Sequence, residues 1–131
     1  MQDDEIEAPC RCGGPAWDRC CGPLLAGDRE ATTAEALMRA RYSAHATGDE
    51  AFLRRSWDPE TCPPVVVDRS REWVELQVRD CSGGGALDRV GSVTFAARYL
   101  RQGTTGWLIE RSHFVRSGIR WIYRDGEPLR R

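Results

Sequence analysis

Cysteine spacing sets the first constraint on this chain. Four of its six cysteines fall in one short run, Cys10-Arg11-Cys12-Gly13-Gly14-Pro15-Ala16-Trp17-Asp18-Arg19-Cys20-Cys21-Gly22-Pro23, while Cys62 and Cys81 stand alone. A tetrahedral metal centre takes four thiolates at about 2.3 Å each, so its ligands arrive as two close pairs joined by a reversing loop. Cys10-x-Cys12 and Cys20-Cys21 are such pairs, and Gly13-Gly14-Pro15 lets the chain turn between them. Two disulfides or four free thiols are the alternatives, but adjacent cysteines bridge only with strain and disulfide frameworks belong outside the cell. The expectation is one structural zinc ion on Cys10, Cys12, Cys20 and Cys21, with no open position for a substrate. Gly13 and Gly22, which follow the pairs, are expected to aim backbone amides at the thiolates, and Trp17 to cover the knuckle. Cys62 and Cys81 read as ordinary free cysteines.

The chain has 131 residues, enough for one core plus attachments. Hydrophobic residues make up 40%, charged residues 30%, and mean hydropathy is −0.54, so no window supplies the roughly 20 apolar residues of a membrane helix. Asp3, Asp4, Glu5 and Glu7 are the opposite of a secretory leader's basic start, which points to the cytoplasm. All 19 basic residues are arginine, which removes lysine Schiff-base chemistry. The formal net charge is −1. Arg69, Arg71, Arg79 and Arg89 alternate with Asp68, Glu72, Asp80 and Asp88, an arrangement that argues against a nucleic-acid surface.

Beyond Pro23 the pattern becomes helical. Thr32-Thr33-Ala34-Glu35 reads as a capping box with Thr32 as the cap. Ala34, Leu37, Met38, Arg41, Tyr42 and His45 share one face at helical spacing, and Gly48 ends the run. The polar tips on that face are expected to snorkel to solvent. Asp49 caps a second helix carrying Phe52, Leu53 and Trp57, with Pro59 as the stop. From Trp73 the period changes to two. Val74, Leu76 and Val78 alternate with Trp73, Glu75, Gln77 and Arg79, and Ser82-Gly83-Gly84-Gly85 makes a flexible turn. Strands then run from about Val90 to Arg101, from Trp107 to Arg116 and from Arg120 to Arg124. The reading is α+β: N-terminal helices on an antiparallel meander, with any pocket between sheet and helix.

Candidate pocket residues are Arg41, Tyr42, His45, Trp57, Glu110, Arg111 and His113. Alternation places Trp107, Ile109, Arg111 and His113 on one side of the third strand and Leu108, Glu110, Ser112 and Phe114 on the other, so Glu110 and His113 cannot form a dyad in a regular strand. An Arg41–Glu110 ion pair fixing helix to sheet is one expectation; Glu110 as a general base beside an arginine is the other. No nucleophile–base signature is legible, and no catalytic residue is assigned.

The segment Cys10 to Gly22 resembles the SEC-C zinc motif, CxCG followed by a short insert and CCG, with one residue fewer between the pairs than the usual form. Three further stretches extend the likeness. They are Leu37-Met38-Arg39-Ala40-Arg41-Tyr42-Ser43-Ala44, then Phe52-Leu53 with Ser56-Trp57-Asp58-Pro59, and then Phe95 to Tyr99 with Ile109-Glu110-Arg111-Ser112 and Trp121 to Gly126. Together they resemble the bacterial YchJ family. The resemblance implies a SEC-C-like knuckle (residues 10–23) after an acidic, flexible start (1–9). A nuclear transport factor 2-like (NTF2-like) domain follows (30–127), in which a curved sheet surrounds a conical cavity. It also implies an adaptor or ligand-binding role, with the knuckle as a docking surface for a protein partner and the larger domain holding a partner or small ligand. The alternative is an isomerase-, dehydratase- or hydrolase-type enzyme working in the cavity.

Overall fold

A computed structural model describes residues 8–130. The acidic N-terminal segment lies outside the described residues except for Ala8 and Pro9, and Pro9 already belongs to the knuckle, bridging Ala16. A single 3-10 turn, Trp17–Arg19, leads into α1 (Cys21–Ala26), followed by α2 (Ala34–Thr47) and α3 (Glu50–Arg55). The strands β1 (Glu72–Gly83), β2 (Val90–Arg101), β3 (Thr104–Ser117) and β4 (Arg120–Pro128) form one antiparallel meander in the order β1-β2-β3-β4. The fold is α+β, as the sequence implied. No helix among the described residues is long and apolar enough to cross a membrane.

Helix α2 begins one residue later than the capping box suggested. Thr33 is the cap, its Oγ1 accepting from the Ala36 amide at 3.0 Å. Glu35 is thereby one position too early to reach back, and it pairs with Arg39 at 3.0 Å instead. Gly48, at φ 77°, closes the helix in the left-handed conformation that favours glycine. Asp49 caps α3 through the Phe52 amide at 3.0 Å. That helix ends at Arg55, so Trp57 lies beyond it rather than on it. The chain around Trp57 instead runs alongside β4: Asp58 N–H donates to the Tyr123 carbonyl and Tyr123 N–H to the Ser56 carbonyl, both at 2.8 Å.

Bulges redraw the faces of the sheet. In β1 the register passes from Trp73↔Tyr99 to Glu75↔Arg98 and skips Val74. One inserted residue reverses side-chain parity, so Trp73 joins Leu76 and Val78 on the concave side while Val74 is left exposed. A bulge in β4 skips Arg124, between Phe114↔Tyr123 and His113↔Asp125. Tyr123 therefore faces inward with Phe114, and Asp125 turns outward to His113. The Gly83–Gly85 segment, expected as a flexible turn, is a docking point: Gly84, at φ +80°, accepts at its carbonyl from the Ala34 amide at 2.9 Å, and a Cβ on it would meet the Ala34 Cβ at 2.7 Å.

Candidate functional site

Two sites emerge, and α2 joins them. The first is the cysteine cluster, whose four sulfurs all lie within 4.8 Å of one another. Tetrahedral thiolate ligation at about 2.3 Å places sulfurs about 3.8 Å apart. The Cys12–Cys20 and Cys20–Cys21 separations, 3.4 and 4.0 Å, bracket that value, so the donor set fits a tetrahedral ion. The thiols do not ionise independently. Hydrogen bonding from Cys21 holds Cys12 down to about 5, while burial pushes Cys20 up to about 12. Donation to Cys12 drives Cys21 higher still. One thiolate forms readily and the next are opposed, a balance that a divalent cation in the centre would reverse.

The glycines act differently from the expectation. Gly14, not Gly13, directs its amide at the Cys12 sulfur, and a Cβ on Gly14 would lie 2.8 Å from the Cys20 Sγ. Gly13 N–H is spent on the Cys10 carbonyl at 2.8 Å. Gly22 is small because the Trp17 ring lies against it, 2.7 Å from where a Cβ would stand. Trp17 does not supply the knuckle's core, since it is 39% exposed. That core comes from the larger domain: Cys10, Cys12 and Cys21 are buried in one cluster with Leu37, Ala40 and Tyr42 of α2. Arg39 donates to the Cys12 carbonyl at 2.7 Å, and Cys10 Sγ lies 3.7 Å from Ser43 Oγ. Cys62 and Cys81 are free thiols.

The second site is a cavity of about 700 Å³ between α2, the segment 65–69 and the concave face of the sheet. Arg41, Tyr42, His45, Trp57 and Glu110 line it. Arg111 and His113 do not; this corrects their place among the pocket candidates. They lie on the outer face of β3, as alternation dictates, where Arg111 pairs with Glu127 at 3.4 Å and His113 Nδ1 meets Asp125 at 2.8 Å. Sequence reasoning missed Tyr123, Trp73 and Arg71. The aromatic pair Trp121–Tyr123 at period two was a usable signal for the first, whereas the bulge hid Trp73.

Arg41 does not snorkel. It is 6% exposed, its Nη1 donating to the Leu53 carbonyl at 3.0 Å and to Ser56 Oγ at 2.7 Å. Its guanidinium carbon lies 4.7 Å from the Trp57 ring centre and 4.4 Å from that of Tyr123. Burial lowers its pKa to about 10, so it stays charged at neutral pH. The expected Arg41–Glu110 ion pair does not form. Glu110 accepts from Ser112 Oγ at 2.6 Å and from the Tyr123 hydroxyl at 3.1 Å instead. Burial, and then the Glu110 carboxylate, push the Tyr123 pKa up, keeping that hydroxyl a donor. Burial raises Tyr42 to about 12.

Burial, then Arg41 and Arg71, lowers His45 to about 4, against a weaker opposing pull from Asp68. The fold thus prefers the neutral ring, and the unfolded chain takes up the proton first as pH falls below about 6.5. This contribution to stability is complete above that pH and lost toward pH 4. Denaturant midpoints of the wild type and His45→Gln are expected to diverge across this window by an amount on the order of 1 kcal/mol, the variant falling less steeply. Parallel curves would show that His45 is not held neutral.

With both sites in view, the comparisons with known proteins are decisive. Residues 33–126 match the family model described as YchJ, middle NTF2-like domain. The chain belongs to the YchJ family. A UPF0225 protein of Streptomyces coelicolor is 42% identical over 123 residues, covering 92% of this chain and 96% of that protein. One from Corynebacterium efficiens is 38% identical, covering 94% and 95%. The solution structure of a SEC-C motif containing protein from Rhodopseudomonas palustris superposes with a TM-score of 0.81 at 35% identity, covering 95% of this chain and all of that one. A SEC-C motif containing protein from Psychrobacter arcticus shares the fold, with a TM-score of 0.73 at 23% identity over 91% of this chain and 80% of that one. In this YchJ-family chain the matched domain holds the cavity, and the cysteine cluster lies outside it, N-terminal to residue 33.

Proposed function

We propose that this protein is a small-molecule-binding module whose cysteine knuckle holds one structural zinc ion, the knuckle bracing the helix that forms one wall of the binding cavity. The observation that carries this reading is the cavity of about 700 Å³, walled by apolar side chains with Arg41 and Glu110 also lining it. Cavities of this size and lining are the usual form of small-ligand sites. Zinc is the ion of choice for four thiolates in a closed tetrahedron. Ligand-detected NMR with a fragment library is expected to give binders that the cavity-filling variant Leu108→Trp no longer holds. No binder to the folded wild type would sink the ligand reading. Elemental analysis of protein purified without chelator should return about one zinc per chain; none would sink the metal reading.

Support for docking of a protein partner on the knuckle is weaker, because Cys10, Cys12 and Cys21 are buried against this chain's own α2. Pull-downs with the wild type and Cys20→Ser/Cys21→Ser test it, and identical partner sets would end it. Catalysis in the cavity is favoured by one observation: Glu110 and the neutral imidazole of His45 share the cavity. Mass spectrometry of a bound ligand before and after incubation separates binding from turnover.

A further inference from the structure

The charges lining the cavity, Arg41, Arg69 and Arg71 against Glu50, Asp68 and Glu110, balance in number but not in pairing. Asp68 pairs with Arg71 at 3.5 Å and with Arg101 at 3.0 Å, and Glu50 pairs with Arg69 at 3.2 Å, so each of these three arginines has a carboxylate partner. Arg41, the most deeply buried of the cavity arginines, has no ion-pair partner among the described residues. A buried cation without a counter-ion is costly, and its donors demand acceptors. Stacking by Trp57 and Tyr123 covers the guanidinium, and the two hydrogen bonds of Nη1 exhaust that nitrogen. What remains is the edge formed by Nε and Nη2. No described residue accepts from it, and Arg41 lines the cavity.

A planar edge of two parallel N–H groups is complementary to a carboxylate, which it binds through two charge-assisted hydrogen bonds. The surroundings narrow the class. Trp73, Phe95, Leu108 and Phe114 offer an apolar wall to the body of a ligand. Glu110 adds a negative charge to the same cavity, which opposes a doubly charged phosphate more strongly than a singly charged acid. We propose that the cavity binds a small organic monocarboxylate with an apolar, ring-sized body, its carboxylate held by the Nε–Nη2 edge of Arg41. This rests on the ligand-binding reading above and specifies the ligand's chemistry.

The test uses the full-length, metal-replete protein and three probes that share a ring and differ in charge: indole-3-acetate, indole-3-acetamide and tryptamine. The carboxylate is expected to bind at least tenfold more tightly than the amide or the amine, and to shift the Arg41 Nε–H resonance of the wild type. Arg41→Lys keeps the charge but not the planar edge, and is expected to lose about tenfold for the carboxylate alone. Because that variant also gives up the contacts to Leu53 and Ser56, the wild-type Arg41 resonance decides the matter if the variant fails to fold. Equal or tighter binding of the amide or amine, or a carboxylate that leaves Arg41 unshifted, overturns the carboxylate proposal and leaves the cavity reading standing. If none of the probes binds and the fragment library also fails, both fall.

Discussion

Treating the protein with a chelator is expected, on the proposal that the knuckle holds zinc, to lower the melting temperature of the whole domain by about 10 °C or more. The sequence suggests a milder outcome, with the N-terminal segment loosened and the larger domain left folded, because that domain has a core of its own. The structure makes the knuckle part of the main core. Cys12 is fully buried, Cys10 and Cys21 nearly so, and all three pack with Leu37, Ala40 and Tyr42. Without the ion, four thiols of opposed ionisation no longer hold the loop, and this face of α2 is uncovered. A metal that binds the folded state stabilises it by mass action, and a loss of about 3 kcal/mol at about 4 °C per kcal/mol gives the shift stated. The sheet, with Val93, Phe114 and Trp121 in its own part of the core, should still fold. Calorimetry with and without chelator checks this, and Cys12→Ser should match the chelated protein. An unchanged melting temperature would show the knuckle to be independent.

Replacing Phe114 with alanine is expected to cost about 3–5 kcal/mol, the usual range for an aromatic ring removed from a packed core. Phe114 is 1% exposed, lines the cavity and packs edge-on against Tyr123 with ring centres 5.7 Å apart. Tyr123 in turn covers Arg41 and donates to Glu110, so the loss extends to these two charged groups of the cavity. Besides the lowered denaturant midpoint, the enlarged cavity should accept bulkier probes than the wild type does. A destabilisation under about 1 kcal/mol would mean that the neighbouring side chains collapse into the space.

Where a residue's role depended on near neighbours in the chain, the sequence was a sufficient guide. The four-cysteine cluster, the two helix caps within one residue, the left-handed stop at Gly48 and the meander of four strands all follow from spacing and turn chemistry over a few positions. The inner face of β2 (Val93, Phe95, Ala97, Tyr99) and the separation of Glu110 from His113 follow from strict period two, because the pairing between β2 and β3 carries no bulge. The same rule failed in β1, where the bulge at Val74 reverses parity and carries Trp73 into the cavity.

Only tertiary structure decided what Arg41 does. On a helix face an arginine tip ordinarily reaches solvent, but here Trp57 and Tyr123, sixteen and eighty-two residues onward, enclose it, and the Leu53 carbonyl and Ser56 hydroxyl bind one of its nitrogens. Tertiary structure likewise decided that the knuckle has no core of its own and borrows α2. Both outcomes depend on contacts between segments far apart in sequence, which no local period encodes. The chain itself determined which elements form and where the four clustered cysteines stand; packing determined which arginine is buried unpaired, and with it the chemistry proposed for the cavity.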